Sequence, residues 1–209
     1  MANLFPVATA FAAAVAFVSA ASIAVCEETA DESARRVGIV FEGTFESAEV
    51  SRLPEGARKT QLVATYEWDY GVRSFSRKLW AERGFEWDAF LTIARRVGDA
   101  IAEKIEPRLV RDHREVVEYV LVHDEDPFLT GALLSNKFYE RFRETLGDRI
   151  HAVVVDRHRI YLFPATGGKL EEFGPALVEE FRRTALPVSL EIFELDGKAI
   201  GVIGEIERE

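Results

Sequence analysis

The chain has 209 residues, 48% hydrophobic and 30% charged, a balance suited to one globular domain with a proper core. Thirty-six acidic residues against 26 basic ones give a formal net charge of -10, an acidic balance that argues against phosphate backbones, and so against nucleic acid, as a partner. Cys26 is the only cysteine, which excludes an intrachain disulfide.

The run Leu4 to Val25 contains no charged residue and is long enough to cross a bilayer. Val18-Ser19-Ala20 and Ser19-Ala20-Ala21 offer the small-residue pattern of a signal-peptidase site, although Met1-Ala2-Asn3 supplies no Lys or Arg. The expectation is a cleaved signal peptide or a retained membrane anchor over residues 1–25, with membrane contact through residues 4–25. Two other readings are lipidation at Cys26, after Ile23-Ala24-Val25, and a misassigned start in a cytosolic protein. Residues 26–36 are small, polar and charged and read as a linker. Residues 37–209 then form a single α+β domain, with sub-lobes at 37–110 and 111–209.

Val37 to Phe41 is a short strand, and Glu42 to Lys59, with Pro54 and Gly56, an irregular connection. Thr60 to Trp68 alternates, with Leu62, Ala64, Tyr66 and Trp68 on one side. Tyr70 to Arg83 settles on no period. Trp87 to Ile105 is the clearest helix: Phe90, Ala94, Val97, Ile101 and Ile105 recur at three- and four-residue steps, and Pro107 stops it. These elements make a small ββα N-terminal lobe.

Glu115 to Val122 is a strand. Asp126 is suited to cap a helix that has Pro127 in its first position. Ser135 serves as a second cap, and Gly147 closes the helix. Arg149 to Pro164 reads as two strands joined by the charged residues Asp156 to Arg159. Gly174-Pro175 opens a helix running to Thr184. Val188 to Leu195 and Ala199 to Ile206 flank Asp196-Gly197 as a hairpin, and a two-residue loop sets Phe193 opposite Ile200. The order β-α-β-β-α-β-β in this half matches, in its first six elements, the ferredoxin-like order.

Three stretches carry a family resemblance: HDEDPFLTGALL, GDRIHAVVVDRHRIYLFP and LPVSLEIFELDGKAIGVI. By order and spacing, residues 123–206 resemble the C-terminal part of the YtpQ-like family of bacterial proteins. Members of that family are longer and have no leader. The family has no established activity, so the resemblance implies a fold and no catalytic residue.

Two constellations bear on function. His123 and Asp124 leave one strand, while Asp156 and His158 sit at the central turn. If the strands ending at Val122 and Val155 were parallel neighbours, these four would meet at one sheet edge as imidazole and carboxylate ligands for a divalent metal. The plainer reading is capped, solvated turns. Between Tyr66 and Trp87, aromatic residues interleave with basic ones, and Trp68, Tyr70, Arg73, Arg77 and Trp80 are the candidates for a partner-binding surface, since Trp, Tyr and Arg dominate interface hot spots. The plainer reading there is a small core between the lobes. The expected function is an exported or anchored, non-catalytic binding module without cofactor, whose partner is a protein or other envelope component. The alternatives are a metal-dependent enzyme at the four strand-end residues and the cytosolic protein with a misassigned start.

Overall fold

The computed structural model describes residues 36–207, so the leader and all of the linker but Arg36 lie outside the described residues. The described chain is α+β, with two antiparallel sheets. In the first sheet β3 (Thr60–Trp68) is central. β1 (Val37–Gly43) pairs with it along one side, while β2 (Ser51–Arg52) and β4 (Gly71–Ser74) share the other. The alternation read in β3 understates its burial, because Gln61, Val63 and Thr65 are as buried as Leu62 and Ala64.

Two helices follow. α1 (Arg77–Glu82) is a short surface helix capped by Ser76, whose Oγ accepts from the backbone N–H of Leu79 at 3.2 Å. α2 (Trp87–Lys104) buries Phe90, Ala94, Gly98, Ile101 and Ala102 along the stripe that its periodicity predicts. Gly98 allows a close approach there: a Cβ at this position would sit 3.0 Å from both the Ala132 Cα and the Ser135 Cβ.

The second sheet contains β5 (Arg108–Arg111), β6 (Val117–His123), β7 (Ile150–Asp156), β8 (Arg159–Pro164), β9 (Glu191–Leu195) and β10 (Ile200–Glu205). Its order is β10-β9-β7-β8-β6-β5, antiparallel throughout. Between β6 and β7 lie a 3-10 turn, Leu129–Leu134, and α3 (Asn136–Leu146); α4 (Leu170–Arg183) lies between β8 and β9. α3 packs against one face of this sheet and α4 against the other.

One apolar cluster runs through both sheets. It joins Ile39, Phe41 and Leu62 to Phe90, Val120, Phe138, Ile160 and Phe193. Phe41 and Phe193 meet edge-on at 5.3 Å, the arrangement that sets the positive edge of one ring on the negative face of the other. A smaller cluster of Val153, Val155, Phe163, Leu177 and Val178 lies beneath α4.

The 3-10 turn covers the free side of β1. Thr130 Oγ1 accepts from the Phe41 N–H at 3.0 Å. Gly131 comes so close that a Cβ would stand 2.0 Å from the Ile39 carbonyl oxygen, and a Cβ on Gly38 would stand 2.7 Å from the Phe128 ring.

Several local expectations are corrected. Asp126 receives the Phe128 N–H at 2.9 Å, but the backbone winds into the 3-10 turn rather than an α-helix. The true helix cap is Ser135, whose Oγ accepts from the Phe138 N–H. Pro175 does not open α4 but lies inside it, because Leu170 and Phe173 extend the apolar face of Leu177 and Val178 by another turn. The last hairpin pairs Phe193 with Val202, not Ile200. Asp196 Oδ1 accepts the N–H groups of Lys198 and Ala199, which widens the loop to four residues. β5 has no counterpart among the expected elements.

Candidate functional site

An open groove of about 1010 Å³ lies on the first sheet, between β4, α1 and the turn of β7–β8. Its chemistry begins with β1. The sequence Ile39-Val40-Phe41 buries itself, and the strand continues beyond its apolar run to Gly43, carrying Glu42 inward. The Glu42 side chain is 7% exposed and lies 2.7 Å from Nε of Arg157, at the tip of the β7–β8 hairpin. Burial pushes the Glu42 carboxyl above its ordinary value, and the Arg157 charge pulls it back down. Among the described residues Glu42 is the one carboxylate within salt-bridge distance of Arg157.

The rim is aromatic and basic. Arg73 stacks on Trp68, its guanidinium carbon 3.5 Å from the ring centroid, and Tyr70 meets Trp68 edge-on at 4.8 Å. Tyr70 is 84% exposed. Trp68, Arg73, Lys78 and Glu82 line the groove above Glu42 and Arg157.

Among the described residues no strand pairs with the outer edge of β4. Glu67 N donates to Arg36 O and Phe75 N to Ala64 O, so odd residues of β3 turn their backbone groups toward β1 and even residues toward β4. Tyr66–Arg73 and Trp68–Gly71 are therefore the hydrogen-bonded pairs. Val72 and Ser74 direct their N–H and C=O groups away from β3, and among the described residues β4 pairs with no other strand.

Of the five residues expected to bind a partner, Trp68, Tyr70 and Arg73 come together at the β3–β4 tip. Arg77 is exposed at the start of α1, where Glu49 accepts its N–H at 3.0 Å. Trp80 belongs instead to a ring cluster, with centroids 4.8 Å from Phe90, 5.7 Å from Phe75 and 6.0 Å from Trp87. The sequence reading missed Glu42 and Arg157. The signal was a carboxylate directly continuing an apolar strand, in Val40-Phe41-Glu42.

The four residues considered as metal ligands do share one end of the second sheet, but not as neighbouring parallel strands: β8 lies between β6 and β7. Their polar groups are largely spent on the turns. Asp124 Oδ1 accepts the Asp126 N–H, and His158 Nδ1 donates to the Asp124 carbonyl at 3.0 Å. Asp156 accepts from His158 N at 2.7 Å and from Thr184 Oγ1 at 2.9 Å. His123 is exposed, with Nε2 3.9 Å from Glu125. Among the described residues no three His, Cys, Asp or Glu side chains are grouped to hold a metal ion. Comparison with known proteins finds no family model, no curated protein and no solved structure that matches this chain.

Proposed function

We propose that the protein is a binding module that receives an extended polypeptide segment of a partner along β4. The observation that carries this reading is the coincidence of the outward Val72 and Ser74 backbone groups with the groove. An unpaired strand edge is complementary to another extended backbone, and flanking side chains then supply selectivity. The Trp68–Arg73 stack and Tyr70 provide a rigid wall of the residue types that anchor interfaces.

Export or anchoring through residues 4–25 belongs to the same proposal and puts the partner in the cell envelope. So does the kinship of residues 123–206 with the YtpQ-like family. The mature N-terminus, read by mass spectrometry of cell fractions, tests the compartment; a soluble cytosolic form lacking residues 4–25 sinks export.

The binding test is a titration of isotope-labelled protein with a set of short extended peptides of varied charge. Backbone amide shifts concentrated at Val72 and Ser74, with the Trp68 indole following, support the reading. Peptides that shift none of these positions overturn it.

A further inference from the structure

Resting on that reading, we infer that Arg157, held in place by Glu42, receives a carboxylate of the incoming segment. A guanidinium carries five N–H donors, and one carboxylate takes two of them at most. Glu42 therefore leaves donors on Arg157 for a ligand, and Arg157 lines the groove.

Glu42 does more than neutralise. Its buried carboxylate fixes one edge of the planar fork, so a ligand meets a guanidinium already oriented rather than one that must be ordered on binding. Hydroxyls that line the same groove are able to add to the recognition. Ser76 Oγ is occupied as an acceptor by the Leu79 N–H, which leaves its hydrogen to donate, and Ser74 lies on the same wall.

The other charges of the groove narrow the ligand. Glu46 and Glu82 stand with Lys78 and Arg73, and the chain's net charge of -10 opposes an acidic partner at a distance. The ligand is therefore an extended segment with one acidic side chain among neutral residues. A strand's side chains alternate, so that carboxylate can point into the groove while the segment's backbone pairs with β4.

The test uses the full chain and two peptides, acetylated and amidated Val-Thr-Glu-Thr-Val and its Gln counterpart, with binding read from the Val72 and Ser74 amide shifts. The Glu peptide binds roughly tenfold more tightly, as one charge-assisted contact implies. In Arg157→Gln the two peptides bind alike. Arg157→Lys keeps the charge but not the fork and falls between. A preference unchanged in both variants, or equal binding of the two peptides to the unsubstituted chain, overturns the carboxylate site while leaving binding along β4 standing. Failure of both peptides to shift Val72 and Ser74 overturns both.

Discussion

The β7–β8 hairpin carries Arg157, His158 and Arg159 at its tip, and the β3–β4 hairpin carries Trp68, Asp69, Tyr70 and Arg73. Both are tight turns of charged and ring-bearing residues. In the first, each residue at the tip has a partner in another part of the fold: Glu42 for Arg157, Asp124 for His158, and Glu180 for Arg159 at 2.7 Å. Its strands are covered on both faces. In the second, burial declines along β3 until Tyr70 stands in solvent. Similar residue types are held between neighbouring elements where the sheet is enclosed and reach solvent where it is not. Composition cannot distinguish the two cases, whereas the number of layers above the strand does.

The largest test of this contrast is in the enclosed hairpin. Leu162 is fully buried and paired with Ala152 and Val120 across its two neighbours. Leu162→Ala lowers stability by about 2–5 kcal/mol, measured by denaturant unfolding. A loss near zero would mean that this strand is not enclosed. Next is Asp156→Ala, which strands the His158 N–H and the Thr184 hydroxyl and costs about 1–3 kcal/mol. Recovery of part of that loss in Asp156→Asn would confirm that hydrogen bonding, rather than charge, is its role.

A smaller effect comes from the Glu42–Arg157 pair, which links the two regions. Burial raises the folded-state affinity of Glu42 for its proton, so the folded chain binds more protons than the unfolded one across that interval. Stability therefore falls as pH rises from the ordinary carboxylate range to the raised folded value, then levels off. Glu42→Gln removes this fall, and unfolding midpoints across pH check it. Parallel pH curves for the two proteins would rule it out. The smallest effect is expected at the open tip: Tyr70→Ser changes stability by less than about 0.5 kcal/mol while weakening peptide binding along β4. A large loss of stability there would show that Tyr70 is part of the core.

The elements that were readable in advance are those whose signals are local. The α2 stripe, the Ser135 cap, the Gly147 stop and the charged turn of β7–β8 need only a few adjacent residues. β5 was missed because Arg108-Leu109-Val110-Arg111 has too few apolar residues to announce a strand; it exists by pairing with β6. Pro175 misled because packing of Leu170 and Phe173 outweighs the missing N–H. The sheet order was not legible, since β8 comes between β6 and β7 only through long-range pairing. The groove suffers most from this. Arg73 and Trp68 could be picked out by type, but Glu42 and Arg157 lie 115 positions apart in the chain, and no spacing rule foresees that contact.

The 3-10 turn against β1 has a consequence for assembly. Thr130 occupies the Phe41 N–H, and Gly131 lies on the Ile39 carbonyl, so the far side of the four-stranded sheet has no room for another strand. Edge-to-edge polymerisation needs two accepting sides, one to bind and one to be bound. A sheet blocked on one side can add a strand at β4 but offers nothing for the next copy to extend. Growth through this sheet terminates after a single addition, so the β4 edge, which pairs with no other strand among the described residues, does not seed fibres.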